Sequence, residues 1–552
     1  MIEDKILLMK KLLMSVAVSV LLFACGGRVD NRDKQIFRYN EVSGISTLDP
    51  AFAKDQALIW ACSQLYNGLV RLDENLEVEP CLAKSWTISP DGRTYTFLLR
   101  DDVCFHKDEV FGNEDSTRRV TARDFVYSFR RILDPKVASP GLWIFNDVDY
   151  NADNLDDAAH QPFKALNDSV FVVRLKQPFP PFLSLLAMPY CSVVPREVVE
   201  HYGEDFRKHP CGTGPFKLQL WKEGVKLVMR SNPGYFEQDS LGNPLPYLDA
   251  VAVTFIVDKQ TVFLEFVKGN LDFMNSLDAS YKDEILTRTG QLKKKYQDKI
   301  DMVGQPFLNT EYLGFLMDGD ASNPLRDKRI RQAVNYGFDR KKMMKYLRNG
   351  VGEGGVCGFV PPSLAGGGCE GYDYNPERAL ELLAEAGYPN GEGLPVLQMA
   401  TTSSYLDLCR YIQQQLDLVG IKVKIDVNPP AALREQVAQG KSQWFRGSWI
   451  ADYPDAENYL SLFYSPNKAP AGPNYTHYRN EKFDKLYERA KKETDPKRRA
   501  VLYRDMDQIL MDDAPVVVLY YDQILHFTHK KVKGLRSNAM NALDLRYVTI
   551  GR

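Results

Sequence analysis

The sequence predicts a large mixed α/β protein that is divided into two big lobes or three domains. Segments typical of helices, with capping residues at their starts, alternate along the chain with short apolar segments typical of strands. About 525 residues follow an N-terminal targeting segment, and at ~150 residues per domain this length corresponds to three domains or two large lobes. The sequence contains no internal repeat and no low-complexity tract, so it excludes a repeat architecture.

The first residues have the pattern of a secretory signal. Lys10-Lys11 precede an apolar run over residues 12–23. A run of about a dozen residues is too short to span a membrane, which takes ~20. Met9 opens a more typical signal than Met1 does, and the choice between these two starts stays open.

Residues 22–27 then read Leu-Phe-Ala-Cys-Gly-Gly, which is similar to a lipobox with Cys25 as its cysteine. In such a sequence the cysteine is acylated and becomes the N-terminus of the mature protein. We therefore predict a lipoprotein signal peptide over residues 1–24, a tether over 25–35 and attachment to a membrane through lipid on Cys25. A plain cleaved signal, in which Cys25 has no role, is the alternative.

Helices are predicted where capping residues precede apolar positions at helical spacing. Thr121 with Asp124 three positions later forms a capping box. Asn375-Pro376 opens another helix, which Gly387 ends. Two helices near the C-terminus begin at Asn480 and at Asp495-Pro496. Strands are predicted for short apolar or alternating runs between turn residues, and these cover residues 95–99, 170–175, 251–255, 421–425 and 516–521.

Charge and motif content do not support an enzyme or a nucleic-acid-binding protein. The formal net charge of −2 gives no basic excess that would suit a polyanion. The chain has 7 histidines and contains neither a His-Glu-x-x-His metalloprotease motif nor a Gly-x-Ser-x-Gly nucleophile motif. We therefore expect no catalytic residues and no nucleic-acid partner.

Three motifs that could indicate a cofactor or a metal are in the wrong context. Residues 350–355 fit the dinucleotide fingerprint, but that site needs a strand before it and a helix after it, and here a helical pattern comes first. Residues 147–153 alternate like a calcium loop but lack its glycine, and the closing glutamate is also missing. His526 and His529 would point to opposite faces of a strand. We expect no metal and no cofactor.

Cysteine usage leaves the disulfide pattern open. Eight cysteines remain after Cys25, and an oxidising compartment would allow them to pair. The best candidates for a local bridge are Cys357 and Cys369, which flank a loop rich in Gly and Pro. Cys191 with Cys211 comes second. Isolated buried thiols are the alternative for the others.

Ten short motifs follow one another in order from about residue 36 to the C-terminus. They are Ser46-Thr47-Leu48-Asp49-Pro50, 64–70, 80–86, 89–92, 121–135, Gly212-Thr213-Gly214-Pro215-Phe216, 329–340, 360–362, 374–388 and Trp449-Ile450-Ala451-Asp452-Tyr453-Pro454-Asp455. In this order they resemble the family 5 extracellular solute-binding proteins, which are the substrate-binding subunits of ABC importers for peptides, dipeptides, nickel and related ligands. Each motif alone is weak, whereas the ordered set over some 500 residues is specific.

The resemblance implies a two-lobed periplasmic-binding-protein fold of type II, in the large cluster that carries an extra inserted domain. Lobe I would consist of residues 36–66, 206–311 and 521–552, the inserted domain II of 67–205, and lobe II of 312–520. Two strands would cross between the lobes, and the strand predicted at 516–521 lies where one crossing is expected. Closure about such a hinge would bury the ligand in the cleft between the lobes.

The resemblance also assigns ligand contacts. Asp452, in the Trp-x-x-Asp motif, would bind the α-ammonium of a peptide, and Arg446, three residues before Trp449, would bind the carboxylate of shorter peptides. The alternative for Asp452 is that it caps a local turn before Pro454. Arg331 and Arg340 are expected to fix helices rather than to contact ligand.

Further contacts are implied on both sides of the cleft. The backbone from Gly447 to Ala451 would pair with an extended ligand, and Lys54-Asp55-Gln56 would flank it from the other lobe. Trp449 and Trp444 are candidates for walls around the ligand's side chains.

The predicted function is that of a lipid-anchored protein of the periplasm or cell envelope, most simply a monomer, which captures short peptides and delivers them to ABC importer permease subunits. A nickel chelate, haem, glutathione or an oligosaccharide is the alternative ligand within the same fold. A peptide sensor without a transporter is the alternative role, and a secreted hydrolase would need a nucleophile and base that the sequence does not show. Peptide length and side-chain preference stay open.

Overall fold

The computed structural model describes residues 34–151, 161–275, 278 and 281–551. The predicted signal peptide and Cys25 lie outside these residues. Within them, helices and strands alternate around several sheets, which confirms the predicted mixed α/β class. No helix in this part of the chain is both long and apolar enough to cross a membrane.

The strands of the described residues are β1 Ile36–Asn40, β2 Val70–Leu72, β3 Val78–Pro80, β4 Ala83–Ile88, β5 Thr94–Leu99, β6 Phe163–Ala165, β7 Val170–Arg174, β8 Phe216–Lys222, β9 Lys226–Ser231, β10 Ala250–Thr254, β11 Phe273–Asn275, β12 Ile300–Phe315, β13 Glu353–Gly354, β14 Leu397–Thr401, β15 Val423–Val427, β16 Trp444–Ile450, β17 Val516–His529, β18 Val532–Lys533 and β19 Thr549–Ile550. The α-helices are Gln56–Leu65, Ala122–Leu133, Phe182–Leu185, Arg196–Tyr202, Lys259–Val267, Lys282–Ile285, Lys328–Tyr336, Arg340–Leu347, Pro376–Glu385, Leu406–Asp417, Pro430–Ala438, Ala456–Leu460, Glu481–Lys492 and Pro496–Asp513.

Three larger sheets organise these elements. One has the order β1-β10-β9-β8, with β1 and β10 parallel. A second, antiparallel sheet has the order β4-β5-β7-β6. The third has the order β11-β17-β12-β16-β14-β15, with β13 pairing to β17. The apolar faces of the first two sheets share one continuous core, whereas both faces of the third sheet are covered by helices with separate cores. The division into lobe I, domain II and lobe II stays a prediction.

Two long antiparallel strands connect the parts of the third sheet. β12 has 16 residues and β17 has 14. The first half of β12 pairs with the second half of β17, beside β11. After a register shift between Pro306 and Thr310, the second half of β12 lies between β17 and β16. The sequence predicted only the apolar half of β17; the remainder begins with the polar residues Asp522 and Gln523 and pairs with β11 and the first half of β12.

Helix starts follow the predicted capping residues. The backbone N–H of Thr121 donates to Asp124 Oδ2 at 2.8 Å, and the pair forms the predicted capping box at the start of Ala122–Leu133. The side chain of Asn375 accepts from the N–H of Arg378 at 3.0 Å. Asp495 caps Pro496–Asp513 in the same way. These bonds satisfy N–H groups that have no partner within the helix, which is why the helices begin at these residues.

Arg331 fixes the C-terminal end of the helix Pro496–Asp513, as predicted. Its guanidinium is buried and donates to the carbonyl oxygens of Ala514 at 2.9 Å and Asp513 at 2.7 Å, and to those of Leu325 and Arg326 at 2.9 Å each. These carbonyls have no partner within a helix, so the planar guanidinium satisfies polar groups that burial would otherwise penalise.

Candidate ligand-binding cleft

A cavity of about 240 Å³ lies between segments that are far apart in the sequence. Its walls come from distant parts of the chain: the helix Gln56–Leu65 with the residues that follow it, residues 184–192, residues 538–546, and Asp452. Cavities of this type, with apolar walls and few polar groups, are where small ligands bind. A larger open groove of about 1600 Å³ is lined by residues within 46–58, 118–140 and 196–207 only. This groove includes no residue of the predicted lobe II. We therefore place the ligand site in the smaller cavity, which Asp452 lines.

Asp452 presents an uncompensated carboxylate to this cavity. Among the described residues its side chain has one hydrogen-bond donor, Asn458 Nδ2 at 3.4 Å, and no ion-pair partner. Desolvation by the surrounding protein raises the pKa of Asp452, and the hydrogen bond from Asn458 lowers it by less. The side chain is nevertheless exposed. A narrow, water-accessible cleft accounts for both, because it holds few water molecules to solvate the charge.

The loop around Asp452 is held by its neighbours rather than by the Asp452 side chain. Asn458 Oδ1 accepts from the indole N–H of Trp449 at 2.9 Å and from the backbone N–H of Asp452 at 3.2 Å. The next helix, Ala456–Leu460, is capped by Asp455, which accepts from Glu457 N–H at 2.9 Å. The contacts therefore do not favour the alternative that Asp452 caps this turn, and its carboxylate is available to a ligand.

The charges of two carboxylates, Asp452 and Asp55, act on the hydroxyl of Tyr190. Burial raises the pKa of Tyr190 to about 12, and the negative charges of Asp452 and then Asp55 add to that shift. Asp452 likewise adds to the effect of burial in raising the pKa of Tyr459, whose buried hydroxyl has no hydrogen-bond partner. The Asp452 carboxylate is thus close enough to both phenol groups to disfavour their ionisation.

One edge of β16 lacks a strand partner beside Asp452 among the residues that the structure describes. Residues 444–450 pair with β12 along one edge, while the opposite edge has a single bridge, from Phe445 to Ala400 of β14. A Cβ at Gly447 would lie 2.4 Å from the ring of Tyr312, so only glycine allows this close packing. The N–H of Ala451 donates to the carbonyl of Leu308 at 2.8 Å, which fixes the end of the strand. The unpaired edge can accept an extended chain.

Arg446, on the same strand, has a protein carboxylate as its partner. Its Nη2 donates to Glu311 Oε2, and its guanidinium carbon lies 3.4 Å from the centroid of the Tyr405 ring. The side chain is 15% exposed, against 3% for Glu311. Arg446 is not among the residues that line the cavity. Its predicted contact with a ligand carboxylate stays a prediction.

The two tryptophans have different positions. Trp444 is fully buried, with its indole 5.7 Å from the ring of Phe315, in the core of the third sheet. It is placed to support β16 rather than to contact a ligand in this conformation. Trp449 is half-buried and packs beside the helix Ala456–Leu460 through its bond to Asn458. A role for either as a ligand wall stays a prediction.

The predicted contacts from the other lobe lie at the start of the helix Gln56–Leu65. Asp55 caps this helix by accepting from the N–H of Leu58 at 3.1 Å. Gln56 exchanges hydrogen bonds with Asn541, at 3.3 and 3.4 Å. The Lys54 side chain is exposed and lines the open groove instead of the cavity. Asp55 is the member of this trio whose charge acts on Tyr190.

The positive groups of the cavity lie in a saturated ion network. Arg71 and Arg546 both pair with Glu237, and Arg546 also binds Asp544 at 2.7 Å. The hydroxyl of Tyr235 donates to the same Glu237 at 2.9 Å. Because these arginines already have carboxylate partners, Asp452 is left as the unpaired charge of the cavity wall within the described residues.

All eight cysteines of the described residues are free thiols. Cys191 donates to Leu185 O at 3.6 Å and Cys211 to His106 O at 3.3 Å. Burial, and then the negative charge of Asp507, raise the pKa of the Cys369 thiol. The two predicted bridges stay predictions.

Several residues of this site were not predicted from the sequence. Tyr190, Asn458 and Glu311 lie in no motif of known chemistry, and only the fold brings Tyr190 beside Asp452. Glu311 could have been noticed as the one charged residue of the segment from Leu308 to Phe315, where a buried charge needs a partner.

Comparisons with known proteins bear on this cleft. The model of the bacterial extracellular solute-binding proteins, family 5 middle, matches residues 77–471. The glutathione-binding protein of Salmonella typhi is 27% identical over 500 residues, which cover 89% of this chain and 90% of that protein.

Solved structures show the same fold. The periplasmic binding protein DppA from Helicobacter pylori, in complex with the peptide STSA, is 26% identical with a TM-score of 0.73, covering 95% of this chain and 100% of that one. HbpA2 from Haemophilus parasuis has a TM-score of 0.78 at 24% identity, covering 94% and 100%. These likenesses confirm the predicted two-lobed type II fold, with its ligand cleft between the lobes.

Proposed function

Because the chain belongs to the family 5 bacterial extracellular solute-binding proteins, we propose that it captures short peptides in its interlobe cleft and delivers them to the permease of an ABC importer. The observation that carries the peptide ligand is Asp452. A desolvated carboxylate without a cation partner on a cavity wall is suited to bind a ligand's ammonium group, because the pair forms in a site with little competing water.

The unpaired edge of β16 supports an extended ligand. Residues 446–450 can exchange main-chain hydrogen bonds with a peptide that lies along this edge, whatever its side chains are. Asp452 follows the strand directly, so a peptide paired with the edge would bring its N-terminus to the carboxylate. The solved relative from Helicobacter pylori binds the peptide STSA, which agrees with this ligand class.

Glutathione is the second candidate ligand, because the curated relatives that match over 500 residues are glutathione-binding proteins. Glutathione also carries a free α-ammonium, which Asp452 could bind. It differs from an ordinary tripeptide in having two carboxylates, which need cationic partners in the protein. The arginines of the cavity are already paired with acids, so the charges of the cleft favour ordinary peptides.

The pH dependence of peptide binding is the first test of the ammonium site. The ammonium binds the ionised form of Asp452, so the affinity for tri-alanine should fall as the pH drops through the pKa of Asp452, which is raised above 3.8. It should also fall above pH ~8, where the peptide's amino group loses its proton. Titration calorimetry should therefore show a bell-shaped profile, with an acid limb that Asp452→Asn removes. An affinity that rises on acidification would contradict the proposal.

We infer that Cys25 carries the lipid that holds the protein to its membrane. Proteins of this family bind their solutes on the outer side of that membrane. Cys25→Ser should move the protein from the membrane fraction to the soluble fraction of lysed cells, whereas Cys104→Ser should leave it with the membrane. The fractions are compared by immunoblot. Retention of Cys25→Ser in the membrane fraction would contradict the anchor.

We propose that the protein acts as a monomer and does not catalyse a reaction. The charged groups of the cavity wall are the Asp452 carboxylate and, held in ion pairs, two arginines and Asp544, an arrangement suited to binding a peptide. Purified protein should therefore return a bound peptide unchanged, as checked by mass spectrometry of the released ligand.

A further inference from the structure

The guanidinium of Arg446 is paired through Nη2 with a carboxylate from the neighbouring strand, while its Nε is buried without a hydrogen-bond partner among the described residues. Glu311 on β12 lies beside Ser448 of β16 in the sheet register, two residues from Arg446. The side chains meet on one face of the sheet, where Arg446 Nη2 donates to Glu311 Oε2. Tyr405 covers the guanidinium from the other side, with its ring centroid 3.4 Å from the guanidinium carbon.

Glu311 is fully satisfied where it lies. Besides Arg446, its carboxylate accepts from Ser448 Oγ at 2.8 Å, Asn309 Nδ2 at 3.2 Å and Tyr405 Oη at 3.3 Å. The residue is 2% exposed. If the carboxylate moved away, four hydrogen bonds would break and the charge of Arg446 would be left unpaired in a buried site.

The surrounding cluster is internally neutral. Next to Glu311 and Arg446, Arg348 pairs with Asp522 at 2.6 Å and donates to the Tyr520 hydroxyl at 3.0 Å. Two guanidinium groups therefore face two carboxylates, and no net positive charge remains to attract the carboxylate of a ligand.

We propose that Glu311 is a specificity-determining residue: it is an internal carboxylate that keeps Arg446 from binding the C-terminal carboxylate of a peptide. This inference rests on the proposed function. Asp452 then binds the N-terminal ammonium of the peptide, and no protein cation binds its C-terminal carboxylate. The ligand class is peptides with a free N-terminus, irrespective of whether the C-terminus is a free acid, an amide or a longer chain.

The test compares tri-alanine with its C-terminal amide by titration calorimetry. The wild-type protein should bind the two with affinities within about threefold of each other. Glu311→Gln has nearly the same shape but no charge, so it frees Arg446, and the acid should then bind at least about tenfold better than the amide. Adding Arg446→Gln to that variant should return the ratio to the wild-type value.

The outcomes separate this inference from the function on which it rests. If wild-type protein binds the acid at least tenfold better than the amide and Arg446→Gln alone abolishes the difference, Arg446 reads the C-terminus and the inference is overturned while the peptide function stands. If neither peptide binds, the proposed function fails and the inference fails with it. The wild-type comparison needs no variant, and a thermal melt shows whether each variant is folded.

Discussion

Asp452→Asn is expected to weaken the binding of free-amine peptides by about 30-fold or more. Removing one partner of a desolvated charge pair costs about 2–5 kcal/mol, and each 1.4 kcal/mol is about tenfold in affinity. The ammonium would be left facing an amide in a cleft with little water. Titration calorimetry with tri-alanine measures the loss. N-acetyl-tri-alanine has no ammonium, so its weak binding should hardly change.

Two controls make this result specific to the ammonium site. Asp407→Asn, at an exposed carboxylate of the helix Leu406–Asp417, should leave both affinities as they are. The Asp452→Asn protein should also be at least as stable as the wild type, because burial raises the pKa of Asp452 and the ionised form is therefore disfavoured in the fold. Equal losses for the free and acetylated peptides would show that Asp452 does not bind the ammonium.

Arg340→Met is expected to destabilise the fold by about 3–5 kcal/mol. Arg340 is 2% exposed and donates to Val518 O at 2.6 Å, Asn335 O at 2.8 Å and Asn335 Oδ1 at 3.0 Å. Methionine fills a similar volume but leaves these three acceptors unsatisfied. Because Val518 belongs to the crossing strand β17, the loss should appear in chemical denaturation as a lower midpoint for the unfolding of this sheet.

The matched control is Arg410→Met, whose parent side chain is 60% exposed and has one ion pair at 3.8 Å. It should change the free energy of unfolding by less than about 0.5 kcal/mol. Arg340→Lys should recover little, since an ammonium cannot satisfy three acceptors that are arranged for a planar guanidinium. A loss below about 1 kcal/mol for Arg340→Met would mean that these buried hydrogen bonds contribute little.

Local chemistry made the helices predictable. The capping residues Thr121, Asn375 and Asp495 fixed helix starts because their side chains bond to backbone groups a few positions away. The crossing strands were harder. β17 continues from its apolar half through Asp522 and Gln523, and β12 contains Gly304 and Pro306, which normally indicate turns. Both strands leave a core to cross the cleft, so their sequences do not follow the pattern of one buried strand.

The resemblance pointed to Asp452, Asp55 and the strand from Gly447 to Ala451, but not to the side chains around Asp452. Asp452 follows from a motif, whereas its neighbours Tyr190 and Tyr459 are placed by the packing of segments far apart in the chain. Trp444 was predicted as a ligand wall because it lies near the motif, and the structure places its side chain in the core of the third sheet, where the alternation along β16 points it. Arg446 was noticed without Glu311, because the strand register that joins them is not local information.

Native mass spectrometry of protein purified without denaturation tests directly whether the protein binds short peptides through Asp452. A peptide receptor that recognises the ammonium end and reads neither side chains nor the C-terminus should co-purify with a set of ligands, whose masses differ as short peptides differ. The same set should be absent from Asp452→Asn purified in parallel. A single sharp ligand mass, kept by both proteins, would contradict the account and would indicate one specific non-peptide ligand.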